Sequence, residues 1–233
     1  MKARLLLALF FVSLAFNASR IVGPLDWRML LAALAAWWTA DLLSGVVHMW
    51  MDYRPCVTGV GLKELYFWEG SRESPEFMVR QAEVYARINT FERICYDFKK
   101  HHPMPDLLGR HGVFHLMKAP TFFITLPLSL ALNAAVLFWR PPGWAMVFAL
   151  TLLIGNSLTQ YFHGTLHKVR SPWPIRLMRG LGLLMTPAAH EHHHATLRED
   201  FSVINGWSNP ALNLLVGALR RAGMLDEAGL VPG

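Results

Sequence analysis

The chain has 233 residues, of which 53% are hydrophobic, and a formal net charge of +6; its mean hydropathy is +0.29. That length allows one folded domain and no second unit. The apolar residues come in blocks that a soluble core does not need, and the Lys and Arg residues lie in the links between them, which excludes a nucleic-acid-binding module and points the surplus charge at anionic lipid headgroups.

In chain order, four blocks approach the roughly 20 residues that cross a bilayer as helix: residues 4–18, 27–50, 119–139 and 143–163. Lys2 and Arg4 ahead of the first, with an unconvincing cleavage site at Asn17-Ala18-Ser19, read as a signal anchor rather than a removable leader. Trp37, Trp38 and Trp50 read as interfacial anchors. The fold expected is therefore an all-α integral membrane protein with about four transmembrane helices, a single domain over 1–233. The first two spans fall in 1–51, a polar cap in 52–118, the last two spans in 119–163 and a second part of the cap in 164–233.

The 52–118 segment carries ten Lys/Arg, which places it on the cytoplasmic side. Cys56 and Cys95 lie there, where thiols stay reduced, so neither a disulfide nor a thiolate metal site is expected. Met78, Ala82, Tyr85 and Ile88, then Phe91, Cys95 and Phe98, recur at helical spacing, with Glu83 and Arg87 set for an ion pair four residues apart. Gly59, Gly61 and Gly70 mark turns. Residues 175–187 and 210–219 are too short to cross and read as interfacial helices.

This topology gathers all eleven histidines on one face of the membrane, in five groups: His48; His101 and His102; His111 and His115; His163 and His167; and His190, His192, His193 and His194. His163 and His167 share a helix face, as do His190, His193 and His194, while His192 points away. Imidazole suits iron, zinc, copper and nickel, and the lack of a thiolate pair argues against structural zinc. Eight or nine nitrogen donors exceed the needs of one ion, so two metals are expected. Asp41, Ser44 and Asp52 lie on the His48 helix face, and Asn156 and Gln160 on that of His163 and His167. These side chains are placed to hold the ligands' other ring nitrogens, and an intramembrane carboxylate such as Asp41 is a functional candidate in itself.

The residues from Ala40 to His48, His101-His102 with Pro105 and His111, the Thr159 to His167 segment, His190 to His194, and Ile204-Asn205-Gly206-Trp207-Ser208-Asn209 resemble, in order, the motifs of the Kua-type lipid desaturase family. The resemblance covers residues 40–52 and about 98–213. It implies a di-iron centre held by His48, His101, His102, His111, His163, His167, His190, His193 and His194. It also implies an oxidoreductase that uses O2 to remove two vicinal hydrogens from an alkyl or acyl chain of a membrane phospholipid. Two departures stand out: Met49 where the family has Trp, and Leu197-Arg198 where it has Pro-His. The second removes one expected ligand and leaves either His115, His192 or Asn205 as a substitute or the coordination incomplete. The 53–98 segment is longer than the family's usual link.

An unactivated C–H bond needs a metal oxidant, since no side chain removes such a proton. Without a flavin or nicotinamide fingerprint, electrons are expected from a partner such as a ferredoxin or a cytochrome b5-like protein. Arg110, Lys168 and Arg170 are the expected contacts to the lipid phosphate. The expected location is a bacterial cytoplasmic membrane, or the endoplasmic reticulum in a eukaryote. Three other readings stay open. Product analysis separates a lipid hydroxylase, metal analysis a zinc-dependent lipid amidase, and a Soret band a haem electron carrier.

Overall fold

The computed structural model describes residues 2–232, and among them the regular elements are all helices, with no strand. Three helices are long and apolar enough to cross a bilayer: α2 (Trp27–Tyr53), α7 (Val113–Phe138) and α8 (Gly143–Leu166). Each matches an expected block. The fourth expected span is α1 (Lys2–Ala18), a helix of 17 residues, shorter than the other three.

Polar contacts tie α1 to α7. Ser13 and Ser129 bond through their hydroxyls at 2.6 Å, Asn17 donates to the Ser129 carbonyl at 3.1 Å and Asn133 to the Ser13 hydroxyl at 2.9 Å. Leu7 and Phe10 pack beside this seam on Met117 and Leu126. In an apolar setting such bonds mark a built helix pair.

The core runs between α2 and α8. A Cβ on Gly155 would sit 2.9 Å from the Ala40 Cβ, so these two small residues let the backbones approach. Trp37 leaves the interfacial role expected of it: its indole donates to the Leu183 carbonyl at 2.8 Å and its ring meets Phe162 edge-on. Asp26 caps the start of α2 through the amides of Arg28 and Met29, and the helix stops at Arg54, which precedes Pro55 and is held extended by it.

Over the shared end of α2 and α8 lies a cap of short helices: α3 (Leu62–Tyr66), α4 (Pro75–Tyr85), α5 (Thr90–Lys99), α6 (Pro105–Gly109), α9 (Trp173–Gly180), α10 (Pro187–Thr196) and α11 (Asn209–Arg221), closed by a 3-10 turn at Glu227–Leu230. Ser74 caps α4, and a reciprocal Asn89/Glu92 capping box starts α5. The apolar face of α4 is one residue out of the expected phase. Phe77 and Val84 are buried and Met78 is exposed, because Pro75 starts the helix with Phe77 turned toward Tyr66 and Trp68. The expected Glu83–Arg87 pair does not form, since α4 ends at Tyr85. Glu83 pairs instead with Arg80, which also holds Glu64. Cys56 and Cys95 are free and buried.

Two short interfacial helices were expected near the C-terminus. The first is only Trp173–Gly180, with a turn leading to α10, and the second is α11. The final 3-10 turn presses on α2: a Cβ on Gly229 would fall 2.0 Å from the Tyr53 carbonyl oxygen. The buried Lys99 ammonium bridges the carbonyls of Asp52 and Gly229, so the end of α2, the end of α5 and the C-terminal turn are fastened at one point.

Candidate metal centre

Four helix ends meet under the cap. The C-terminal turns of α2 and α8 supply His48, Asp52, His163 and His167. The turn after α5 supplies His101 and His102, and α10 supplies His190, His193 and His194. Thr186 caps α10 and Pro187 occupies its first position, which sets the phase that turns His190 and His193 inward. Nine side chains form two adjoining groups. His101, His163, His167, His190 and His194 make one, and His48, Asp52, His102 and His193 the other, the ligand atoms of each lying within 4.8 Å of one another. The groups touch through His48 and His163, whose ring centroids are 5.2 Å apart.

The spacings suit ions bound at their centres. Two ligand atoms each about 2.1 Å from one ion stand about 3.0 Å apart at a right angle and about 3.4 Å apart at the tetrahedral angle. In the first group the His190 Nε2 is 3.0 Å from the His163 Nε2 and 3.1 Å from the His194 Nε2. In the second, Asp52 carboxylate oxygens stand 3.3 Å from the His48 Nε2, 3.4 Å from the His102 Nε2 and 3.4 Å from the His193 Nε2. One ring nitrogen carries one proton or one lone pair, so His190 Nε2 cannot satisfy two neighbours by hydrogen bonding, whereas a shared ion satisfies all three.

Unpaired atoms point the same way. Both ring nitrogens of His48 and His102, one each of His101, His163, His167, His190 and His193, and both Asp52 oxygens are buried without a hydrogen-bond partner in the protein. Each such atom costs about 1–3 kcal/mol if left unsatisfied, and eleven of them belong to the side chains of the two groups, a concentration that bound ions would relieve. Elsewhere the rings are anchored: Nδ1 of His193 donates to the Glu199 carbonyl at 2.8 Å and Nδ1 of His101 to the Phe98 carbonyl, which fixes the tautomer that turns Nε2 inward. The left-handed backbone at Leu197 and Asp200 folds the chain back so that the Glu199 carbonyl reaches His193. Burial holds the imidazoles of His101 and His190 well below the usual range, and drives His102 and His194 down to about 3 and His167 to about 4. Near neutral pH they are uncharged, the form that binds metal.

The structure distributes the remaining sequence candidates differently. His111 stays outside both groups: its exposed ring, in the turn before α7, stacks on the exposed ring of His115 in the first turn of α7 at a centroid distance of 4.1 Å. His192 faces outward and pairs with Asp200 at 2.8 Å. Asn205 accepts from the Trp207 amide within its own turn. Neither His115 nor His192 belongs to the two groups.

Asp41 takes a different task from holding a ligand. Its Oδ1 accepts from the amides of Ile204, Asn205 and Gly206, and its Oδ2 from the amide and hydroxyl of Ser208. Ser44 accepts from the Val203 amide, so both side chains bind the 203–208 loop to α2. Asp52 moves the other way: read as a supporting residue, it stands among the ligand atoms themselves. Its position four residues after His48 was the signal for that.

A largely apolar cavity of about 620 Å³ reaches the centre, with His48, His101 and His163 among its walls. Leu43 and Val47 of α2, Phe91 and Ile94 of α5, and Phe123 and Ile124 of α7 line it. The last two belong to a π-helical turn, Thr121–Thr125, an irregularity of the kind that collects at functional sites. Asn156 and Gln160 put amides on the wall formed by α8, and His115 and Leu116 line the cavity from α7. Sequence periodicity gave no sign of the roles of Phe91, Ile94, Phe123 and Ile124, since they are ordinary apolar residues until the helices are assembled. Arg110 pairs with Glu73 at 3.3 Å, whereas Lys168 and Arg170 line a separate concavity after α8.

Residues 85–220 match the family model of the lipid desaturase domain. The matched segment holds seven of the eight clustered histidines, with His48 and Asp52 preceding it. A plasmanylethanolamine desaturase of Myxococcus xanthus is 25% identical over 192 residues, covering 81% of this chain. The chain spans 57% of the length of that curated relative. No solved structure matches the chain.

Proposed function

The chain belongs to the lipid desaturase domain family, and from that premise we propose that it is a membrane oxidoreductase forming a carbon–carbon double bond in an alkyl or acyl chain of a phospholipid. The metal proposed is a pair of irons, one for each histidine group. The balanced reaction takes –CH2–CH2–, O2, two electrons and two protons to –CH=CH– and two waters. A separate donor, a ferredoxin or a cytochrome b5-like protein, brings the electrons. The observation that carries the reading is the juxtaposition of the two histidine groups with an apolar cavity whose walls include His48, His101 and His163. A hydrolase needs about three protein ligands and an open water site; nine donors beside a hydrocarbon-lined cavity suit oxidation of a chain.

The redox chemistry needed to break an unactivated C–H bond is what bound iron supplies together with O2, and no side chain here replaces it. The protein's own work is positional. The α2 and α8 helix ends hold His48, Asp52, His163 and His167 at fixed height, and the Phe98 and Glu199 carbonyls keep the His101 and His193 rings turned inward. Leu43, Val47, Phe123 and Ile124 bind methylenes and exclude water. Imidazoles kept neutral by burial present lone pairs rather than protons to the centre.

The proposed topology counts α1 as a fourth span, joined to α7 by the Ser13–Ser129 seam. It puts the histidine cap on the cytoplasmic side of a bacterial cytoplasmic membrane, or of the endoplasmic reticulum, in keeping with the ten Lys/Arg of residues 52–118. Expression in a host lacking such an activity tests the function. Lipid mass spectrometry is expected to find chains lighter by two hydrogens, dependent on O2 and absent with His193→Ala. Products heavier by one oxygen would make the enzyme a hydroxylase, and unchanged lipids with active-site metal in place would refute the reading.

A further inference from the structure

Immediately after His167 the chain leaves α8 and forms a second concavity, of about 520 Å³, before α9 begins. Lys168, Arg170, Arg176 and Arg179 all line it, and no acidic residue does. Among the described residues none of these four cations pairs with a carboxylate, and here all four share one hollow. Like charges gathered in one hollow repel each other, and an anion in the hollow removes the cost. Ser171 and Pro187 complete the wall at the starts of α9 and α10, whose positive helix ends favour the same sign of ligand.

The four cations are not equivalent. Arg179 is built into the wall, its guanidinium donating to the Met185 carbonyl at 2.8 Å, the Ser171 hydroxyl at 2.9 Å and the Thr165 hydroxyl at 3.0 Å. Arg170 and Arg176 are exposed and have no protein partner for their charge, and Lys168 reaches only the His111 carbonyl, at 3.5 Å. Arg179 thus shapes the hollow and the other three are free to close on a ligand.

The surroundings say where the anion resides. Trp173, Leu177 and Leu181, spaced by four residues along and just past α9, are 68%, 54% and 64% exposed, and Val169 beside the cations is wholly exposed. A short helix with an uncovered apolar stripe and basic residues on its flank lies in the membrane interface, with the stripe among the acyl chains and the charges at headgroup level. The hollow also adjoins the chain cavity. Lys168 touches His111, His111 stacks on His115, and His115 lines that cavity.

We propose that Lys168, Arg170 and Arg176, on the frame set by Arg179, form a phosphate-binding site for a membrane phospholipid, placed so that a chain of the bound lipid enters the neighbouring cavity. This rests on the desaturase reading for its last clause only, since the phosphate site stands on the unpaired cations and the interfacial helix. Arg110, committed to Glu73, has no part in it.

The test uses the full chain in an uncharged detergent and measures binding of a fluorescent phosphatidylglycerol, a phosphatidylethanolamine and a diacylglycerol that lacks phosphate. Both phospholipids are expected to bind and the diacylglycerol to bind at least about tenfold more weakly. The triple variant Lys168→Gln/Arg170→Gln/Arg176→Gln is expected to lose that preference while melting like the unmodified chain, because Arg179 and its three hydrogen bonds remain. Arg110→Gln should bind as the unmodified chain does. His193→Ala should also keep the phosphate preference, which separates this site from catalysis: loss of desaturation there leaves the site standing. Equal binding of diacylglycerol, or an unaltered preference in the triple variant, overturns the proposal. So does displacement of the lipid by inorganic phosphate at the lipid's own concentration, which would assign the hollow to the free ion.

Discussion

Two carboxylates eleven residues apart on α2, Asp41 and Asp52, show how one residue type acquires opposite duties from its surroundings. Asp41 is enclosed by five donors from the 204–208 loop, and Asp52 faces three imidazoles with both oxygens otherwise unpaired. Asp52→Ala is therefore expected to lose the ion of its own group and leave about one iron per chain, by elemental analysis; two irons retained would remove Asp52 from the ligands. Asp41→Asn turns an amide N–H toward donors and is expected to destabilise the fold by about 3 kcal/mol, since hydrogen bonds to a charged acceptor contribute about 1.5–3 kcal/mol each. The folded fraction should keep its iron. An unchanged melting temperature with iron lost would instead return Asp41 to the role of holding a ligand.

At this scale the sequence was legible wherever helical spacing alone decides direction. The 163/167 and 190/193/194 spacings placed their rings correctly together, and the outward turn of His192 followed from the same geometry. His111 was not legible, because it lies in a turn between α6 and α7, where no periodicity fixes where a side chain points. Asp52 was seen on the right helix face but not at the right distance, since only the approach of the turn after α5 brings His102 against it.

Among the elements, the apolar blocks announced α2, α7 and α8 to within a few residues, because bilayer thickness imposes both length and composition. The cap was harder. Its helices run five to thirteen residues, and in so short a segment a single proline or cap resets the phase, as Pro75 does for α4. The π-helical turn in α7 has no compositional mark at all. The cap helices also carry most of the buried neutral histidines, and this has a consequence for pH. The folded-state pKa values of His102, His194 and His167 lie below the ordinary 6.5, at about 3, 3 and 4. Below about pH 6.5 the unfolded chain therefore binds protons that the folded metal-free chain refuses, and stability falls as pH falls. Chelator-treated protein is expected to melt at a lower temperature at about pH 5 than at about pH 7. A flat profile would mean that the rings are open to solvent.

For the whole molecule, the design is a narrow membrane bundle whose helix ends are gathered under a cap, so that a candidate metal centre built from four separate stretches of chain adjoins a hydrocarbon-lined cavity. The stretches are about 50 residues or more apart in sequence between α2 and α5 and again between α5 and α8, which is why spacing within each motif revealed the chemistry while the partition into a five-donor and a four-donor group needed the assembled fold. The family match begins at residue 85, yet the second group is incomplete without His48 and Asp52, so α2 belongs to the proposed metal centre as much as the matched segment does. The most direct measurement is the metal content of the detergent-purified full chain, by elemental analysis beside an absorption spectrum. About two irons per chain without a Soret band is the result expected from two donor groups of this composition; one zinc, or stoichiometric haem, would contradict the account.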